Sequence, residues 1–211
     1  ALVGLEKLSL GRNQLTALPE SIVALVGLKL LNLNFNKLTA LPESIAALVG
    51  LENLYLDNNQ LTALPESIGA LVGLKELHLS SNQLTALSLE PIAALVGLEK
   101  LLLDNNQLTA LPESIGALVE LKELHLSNNL LTALSLEPIG ALLGLEKLIL
   151  DNNQLTALPE SIVSLTALKM LMLTDNPLTD LEWVLQSPAV EAWLAALEDG
   201  GCGVFRDRDG Y

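Results

Sequence analysis

Two histidines and three aspartates are the side chains of this sequence whose types and spacing could support acid–base chemistry or metal binding. His78 and His125 each stand in the sequence ELHLS, 47 residues apart, and Asp57, Asp104 and Asp151 recur close to them along the chain. A histidine that faces a carboxylate can act as a general base or bind a divalent cation. Whether these residues meet depends on the elements that position them.

A repeat of 23 or 24 residues, with the pattern LxxLxLxxNxLTxLPxxI, organises the chain around these side chains. We predict that residues 5–181 form eight repeats and that 182–211 form a C-terminal capping segment. Residues 1–4 read as the tail of a preceding repeat, so we expect the protein to continue N-terminally, or this end to be frayed or covered by a partner. The eight units open at Leu5, Leu28, Leu51, Leu74, Leu98, Leu121, Leu145 and Leu168.

Each unit predicts the same local structure. The segment LxxLxL alternates apolar and variable residues, which is typical of a short strand with one buried face. Strands this far apart in sequence pair in parallel through a crossover, and such crossovers are right-handed. The asparagine eight residues after each opening leucine is expected to satisfy buried turn backbone. The LPES segment that follows predicts a return by a short helix or 3-10 turn, because proline and glutamate both suit a helix start.

This geometry argues against a metal site or a catalytic site at the two histidines. They hold the same position two units apart, which separates them by roughly 10 Å at about 4.8 Å per strand, whereas zinc–nitrogen bonds are about 2 Å. His125 could pair diagonally with Asp104 or Asp151, but no nucleophile stands beside such a pair. We therefore predict no catalytic residue, no metal ligand and no cofactor, and we expect the histidines to be surface contacts.

The repeat pattern ends after Asn176 and gives way to a predicted cap. Ser187 and Pro188 form a helix-start signal, and Gly200 and Gly201 form a stop signal. Both tryptophans of the chain, Trp183 and Trp193, are expected to cover the last leucine layer, and the sequence CGVF could add a final strand. The predicted apolar face of the helix consists of Val190, Trp193, Leu194 and Leu197.

Composition excludes several functional classes. The formal net charge is −14, from 25 acidic and 11 basic residues, which disfavours nucleic acid binding and favours a basic protein or peptide as partner. Charged or polar residues interrupt every apolar run, so no membrane span is expected. Cys202 is the only cysteine; no intrachain disulfide is therefore possible, and we expect a cytoplasmic location.

On these motifs the sequence resembles the leucine-rich repeat family over residues 5–181. The LTxLPxxI form is similar to the repeats of Roco-type GTPases and of Ras-associated repeat proteins. The resemblance implies a horseshoe-shaped solenoid with a parallel sheet on its concave face, short helices or 3-10 turns on its convex face, and a role in binding other proteins. The chain itself contains no phosphate loop, zinc spacing or kinase signature.

The third, fifth, seventh and eighth positions of each unit are expected to face the concave side, where a parallel sheet would lie open to water. Near-identical copies at 51–97 and 98–144 differ at only seven positions, so individual function is expected where the repeats depart from one another. Apolar residues there predict an exposed stripe, and such patches mark interaction sites. The candidate partner-binding residues are Tyr55, His78, Leu102, His125, Ile149, Met170 and Met172.

The sequence predicts a non-catalytic module that binds a protein or peptide along this face. Two alternatives stay open from the residues alone. The chain could be the recognition segment of a larger signalling enzyme, such as a Roco-type GTPase or a kinase, whose catalytic domain lies outside it. It could also be a purely structural or engineered consensus repeat. We make no prediction of the oligomeric state from the repeat pattern.

Overall fold

The computed structural model describes residues 4–178 and 188–205. Within these ranges, nine three-residue strands form one sheet, and each strand pairs in parallel with the next one in chain order. The fold is the predicted right-handed solenoid. The strands are β1 (Lys7–Ser9), β2 (Leu30–Asn32), β3 (Asn53–Tyr55), β4 (Glu76–His78), β5 (Lys100–Leu102), β6 (Glu123–His125), β7 (Lys147–Ile149), β8 (Met170–Met172) and β9 (Gly203–Phe205).

Short 3-10 helices return each unit along the convex face. The five-residue helices begin at the glutamate after a proline whose φ lies between −72° and −65°, and this glutamate complements the positive end of the helix dipole. From β2 to β8 the central leucine of each strand is fully buried, so the core is a stack of leucine layers. The helices span Glu20–Ala24, Glu43–Ala47, Glu66–Ala70, Ala86–Ala94, Glu113–Ala117, Ala133–Ala141 and Glu160–Ser164.

The asparagine column joins consecutive units, as the sequence predicted. Asn106 shows the pattern: its Nδ2 donates to the carbonyl oxygens of Leu79 at 3.0 Å and Leu103 at 3.1 Å. Its Oδ1 accepts the backbone N–H of Leu84 at 3.0 Å. These amides therefore supply the hydrogen bonds that the turn backbone cannot find in the sheet. The buried members of the column are Asn36, Asn59, Asn82, Asn106, Asn129 and Asn153.

The residue before each asparagine adopts a left-handed backbone conformation, with φ between 51° and 58° in all eight units. Asn and Asp, which hold this position in five of the eight units, tolerate this region because their short side chains can hydrogen-bond locally. Arg12 and Phe35 occupy it in the first two units, and the Arg12 guanidinium carbon lies 4.7 Å from the centre of the Phe35 ring. Local backbone preference does not favour arginine or phenylalanine at this position.

The predicted C-terminal helix is confirmed as α1 (Pro188–Asp199), with its four predicted apolar residues buried, and its role as a cap stays a prediction. Gly200 donates its N–H to the Ala196 carbonyl oxygen at 3.0 Å, and Gly201 has a φ of +84°, so the helix ends where the glycines indicated. The CGVF segment supplies β9, which pairs with β8. Trp183 and the expected tail at residues 1–3 lie outside the described residues. No helix in the described ranges is both long and apolar enough to cross a bilayer.

Candidate functional site

The concave face is built by the two residues that flank the buried leucine in each strand. The sheet register aligns the fifth positions directly, so that Tyr55 lies beside His78, His78 beside Leu102, and Leu102 beside His125. The third positions form a second column in the same way. All seven candidate residues therefore lie on one face, and the register places Ile149, Met170 and Met172 on the C-terminal strands β7 and β8.

A polar cluster surrounds Tyr55 and His78 on β3 and β4. The Tyr55 hydroxyl donates to Glu76 Oε2 at 3.0 Å, and the Tyr55 and His78 ring centres are 4.4 Å apart. His78 lies between two carboxylates, with Nδ1 3.6 Å from Asp57 Oδ2 and Nε2 3.5 Å from Glu76 Oε2. Burial, together with the hydrogen bond and charge of Glu76, raises the pKa of the Tyr55 phenol, so the hydroxyl stays protonated and keeps donating.

A related cluster surrounds His125 on β6, and of the two diagonal pairs that the sequence allowed, with Asp104 or with Asp151, it contains the pair with Asp104. His125 Nδ1 lies 3.7 Å from Asp104 Oδ2, and Nε2 lies 3.8 Å from Glu123 Oε2. Lys100 pairs with Glu123 at 3.1 Å. Partial burial raises the pKa of the Glu123 carboxyl, but the hydrogen bond and charge of Lys100 outweigh burial and lower it overall. Leu102 replaces the tyrosine of the first cluster, so the two histidines face different neighbours.

The three aspartates each accept a hydrogen bond from the backbone of the next unit. Asp57 Oδ1 accepts the N–H of Ser80 at 2.9 Å, Asp104 Oδ1 that of Ser127 at 2.8 Å, and Asp151 Oδ1 that of Thr174 at 3.0 Å. Each aspartate therefore ties its own turn to the next unit. Among the described residues, no group of three or more His, Cys, Asp or Glu side chains is arranged to hold a metal ion.

Cys202 is the remaining residue with intrinsic reactivity. It lies between α1 and β9 and is partly buried. Burial raises the pKa of the Cys202 thiol, and a protonated thiol is a poor nucleophile. The side chain packs against the apolar core, which assigns it a structural role.

The apolar half of the concave face differs from the exposed stripe that the sequence predicted. Leu102, Met170 and Met172 are half-buried, whereas Ile149 is only 6% exposed. In the register Ile149 lies between His125 and Met172. The prediction that Ile149 is part of an exposed stripe is wrong.

Phe35 and Arg12 are concave-edge residues that the site prediction omitted. Phe35 is among the exposed large apolar side chains, and it lines a shallow cavity with Ser9, Asn32 and Arg12. A bulky residue in a left-handed conformation persists only where the surroundings hold it, and such positions cluster at binding sites. The signal was present in the sequence, because the eighth position reads Arg and Phe in two units and Asn, Ser or Asp in the others.

These features define a leucine-rich solenoid with a partly apolar concave face. A sequence profile described as "Leucine rich repeat" matches residues 3–61, 49–108 and 119–178, and one described as "Leucine Rich repeats (2 copies)" matches 96–138. The chain belongs to the leucine-rich repeat family. A comparison with curated protein sequences gave no significant match.

Solved structures of the same fold include proteins from bacteria and plants. A leucine-rich-repeat protein of Leptospira interrogans is 34% identical, with a TM-score of 0.72 over 94% of this chain and 54% of its own. Internalin C2 of Listeria monocytogenes is 28% identical, with a TM-score of 0.74 over 87% of this chain and 77% of its own. The Arabidopsis receptor kinase HAESA, solved with a peptide hormone and a co-receptor, is 32% identical, with a TM-score of 0.70 over 81% of this chain and 30% of its own. The chain thus spans about half of the Leptospira protein and under a third of the plant receptor.

Proposed function

We propose that the protein is a non-catalytic module that binds a protein or peptide segment along its concave face. The observation that carries this proposal is the change in chemistry along one continuous sheet surface. A polar cluster of Tyr55, His78 and Glu76 lies at β3 and β4, and half-buried Leu102, Met170 and Met172 lie on β5 and β8. An extended segment across the strands would meet hydrogen-bonding groups first and apolar side chains later.

The chemistry of these side chains suits peptide recognition. Tyr55 offers a large ring held in place by its hydrogen bond to Glu76, and rigid aromatic anchors dominate binding energy at interfaces. Methionine side chains adapt to irregular apolar surfaces. Glu76 and Asp57 on the same cluster, with an acidic chain overall, favour a segment that carries basic residues.

The solved relatives support this class of partner. HAESA was solved with a peptide hormone. Because HAESA is a receptor kinase, the alternative that this chain is the recognition segment of a larger signalling enzyme also has support. The resemblance to Roco-type repeats and the cytoplasmic location stay predictions.

Peptides selected from a random display library on the immobilised protein provide a probe for this face. We expect Tyr55→Ala and Leu102→Glu each to raise the Kd of a selected peptide at least about tenfold, because each removes an anchor or introduces an unpaired charge. Isothermal titration of wild type and variants measures the change. Ile149→Glu is a poor choice, since Ile149 is buried and its substitution would destabilise the fold.

Val23→Glu is the matched control, because Val23 is exposed on the 3-10 helix Glu20–Ala24 of the convex face. It introduces the same charge and should leave the Kd unchanged. If selected peptides bind both concave variants as tightly as wild type and lose affinity for Val23→Glu, the concave assignment is wrong.

A further inference from the structure

The most exposed large apolar side chains of the described residues lie along one edge of the solenoid, away from the candidate site. Each occupies the turn that precedes a strand. Successive turns lie on one another, since a Cβ built at Gly73 would be 3.6 Å from the carbonyl oxygens of Val49 and Leu51. The side chains are 51–62% exposed, and we call them the edge stripe: Val26, Val49, Val72, Val96, Val119 and Leu143.

A column of alternating charges borders the edge stripe. Its members occupy the second position of each unit and pair between units, for example Lys29 with Glu52 at 2.9 Å and Lys75 with Glu99 at 3.2 Å. Lys75 Nζ also donates to the carbonyl oxygen of Gly97 at 3.2 Å, which places it directly beside Val96. We call this column the charge ladder: Glu6, Lys29, Glu52, Lys75, Glu99, Lys122, Glu146 and Lys169.

The charge ladder of one copy is complementary to the charge ladder of a second copy that runs in the opposite direction. A second ladder laid antiparallel places a lysine opposite every glutamate. Glu6 then faces Lys169, Lys29 faces Glu146, Glu52 faces Lys122, and Lys75 faces Glu99. The ladder also carries no net charge in a chain of net charge −14, so the ladder itself adds nothing to the long-range repulsion between two acidic copies.

We propose that two copies of this chain associate antiparallel through the edge stripe and the charge ladder, with the two-fold axis between the fourth and fifth units. The axis sets Val72 of one copy beside Val96 of the second, so every apolar residue of the stripe meets another. A two-fold interface of this kind uses the same patch on both subunits. The concave faces stay open, and the inference goes beyond the proposed peptide binding.

The size of the surface fits this occupant. Every side chain of the edge stripe is more than half exposed, which makes the stripe an extended apolar patch of the kind that marks an interaction site. The flanking ladder side chains bring the contact towards the ~800 Å² per partner of a stable interface. The residue before the opening leucine is glycine in most units, but it is Glu120 before Leu121. The antiparallel arrangement sets Glu120 of one copy near Gly50 of the other, which leaves room for the glutamate side chain.

Sedimentation velocity over about 1–100 μM measures the association. We expect a dimer for wild type and at least a tenfold higher dimer Kd for the double variant Val72→Glu/Val96→Glu, because four like charges would meet at the axis. Leu130→Glu is the control: Leu130 is exposed on the loop after β6 and its substitution should leave the dimer intact. A monomeric wild type at the highest concentration, or a double variant that dimerises as wild type does, would overturn the proposal.

A charge-swap pair tests the antiparallel register. Lys29→Glu alone places two glutamates face to face at each end of the dimer, and Glu146→Lys alone places two lysines there, so each should raise the dimer Kd about tenfold. Mixed in equal amounts, the two variants restore opposite charges and should form a heterodimer near wild-type affinity. Weakened single variants without recovery on mixing would overturn the register. Circular dichroism of each variant checks folding, and unchanged affinity for a selected peptide separates this result from the concave-face proposal.

Discussion

Asn106→Ala is expected to lower the free energy of unfolding by about 3 kcal/mol. The substitution removes three short hydrogen bonds at about 1 kcal/mol each and a longer one to the Asp104 carbonyl oxygen at 3.3 Å, and it leaves one buried donor unsatisfied. That donor is the Leu84 N–H, whose partner in the turn is Asn106 Oδ1. The two carbonyl groups suffer less, because Leu79 O also accepts from Asn82 and Leu103 O also accepts from Asn129.

Asn13→Ala is the matched control in the same column. Asn13 is exposed and donates only to Leu10 and Gly11 of its own unit, so its loss should cost less than about 1 kcal/mol. Urea unfolding followed by circular dichroism compares the two variants with wild type. Equal destabilisation by both substitutions would show that the asparagines act within their own turns and do not join units.

Leu194→Asp is expected to release the cap at a cost of about 3–5 kcal/mol, because an unpaired carboxylate cannot be buried where Leu194 lies 1% exposed. The helix α1 packs against the 3-10 helix Glu160–Ser164, and the chain that follows it adds β9 to β8. Undocking of α1 would therefore open the end of the core at Leu171 and Leu173. Tryptophan fluorescence should shift to longer wavelength as Trp193 meets water, and amide exchange in β8 should accelerate.

Ala195→Asp is the control that separates the loss of packing in Leu194→Asp from the lower helix propensity of aspartate. Ala195 is the next residue of the same helix and is exposed, so the same substitution there should change stability by less than about 1 kcal/mol. Deletion of residues 182–211 is the stronger form of the experiment, and exposure of the last leucine layer should then cause aggregation. If Leu194→Asp and Ala195→Asp unfold alike, α1 does not act as a cap.

The elements of this fold could be predicted because each depends on local spacing. The leucines at positions one, four and six of each unit fix the strand and its buried face, and Pro188 and the paired glycines mark the ends of α1 without reference to the rest of the chain. The columns of the concave face followed from the constant repeat length. The constant spacing in sequence therefore determines which residues pair between neighbouring strands.

The exposure of particular side chains could not be predicted in the same way. Ile149 and Leu102 hold equivalent positions in their units, but Ile149 is buried and Leu102 is only half-buried, a difference that the repeat pattern does not encode. Asp57 looked like a catalytic carboxylate, yet one of its oxygens accepts a backbone N–H from the next unit. The edge stripe was hidden within the apolar sequence ALVGL, where only the direction of a turn separates the exposed valine from the buried leucines beside it.

The asparagine column also implies an order in which the units complete their folding during synthesis. In every described case the side-chain oxygen that completes a turn comes from the following unit, from the bond of Leu15 N to Asn36 through that of Leu155 N to Asn176. A unit that leaves the ribosome is therefore incomplete until about 21 further residues have been made, which takes roughly 1–4 s at ordinary rates of synthesis. The growing chain would fold one unit behind its own translation, with a single unfinished turn facing the ribosome at each moment.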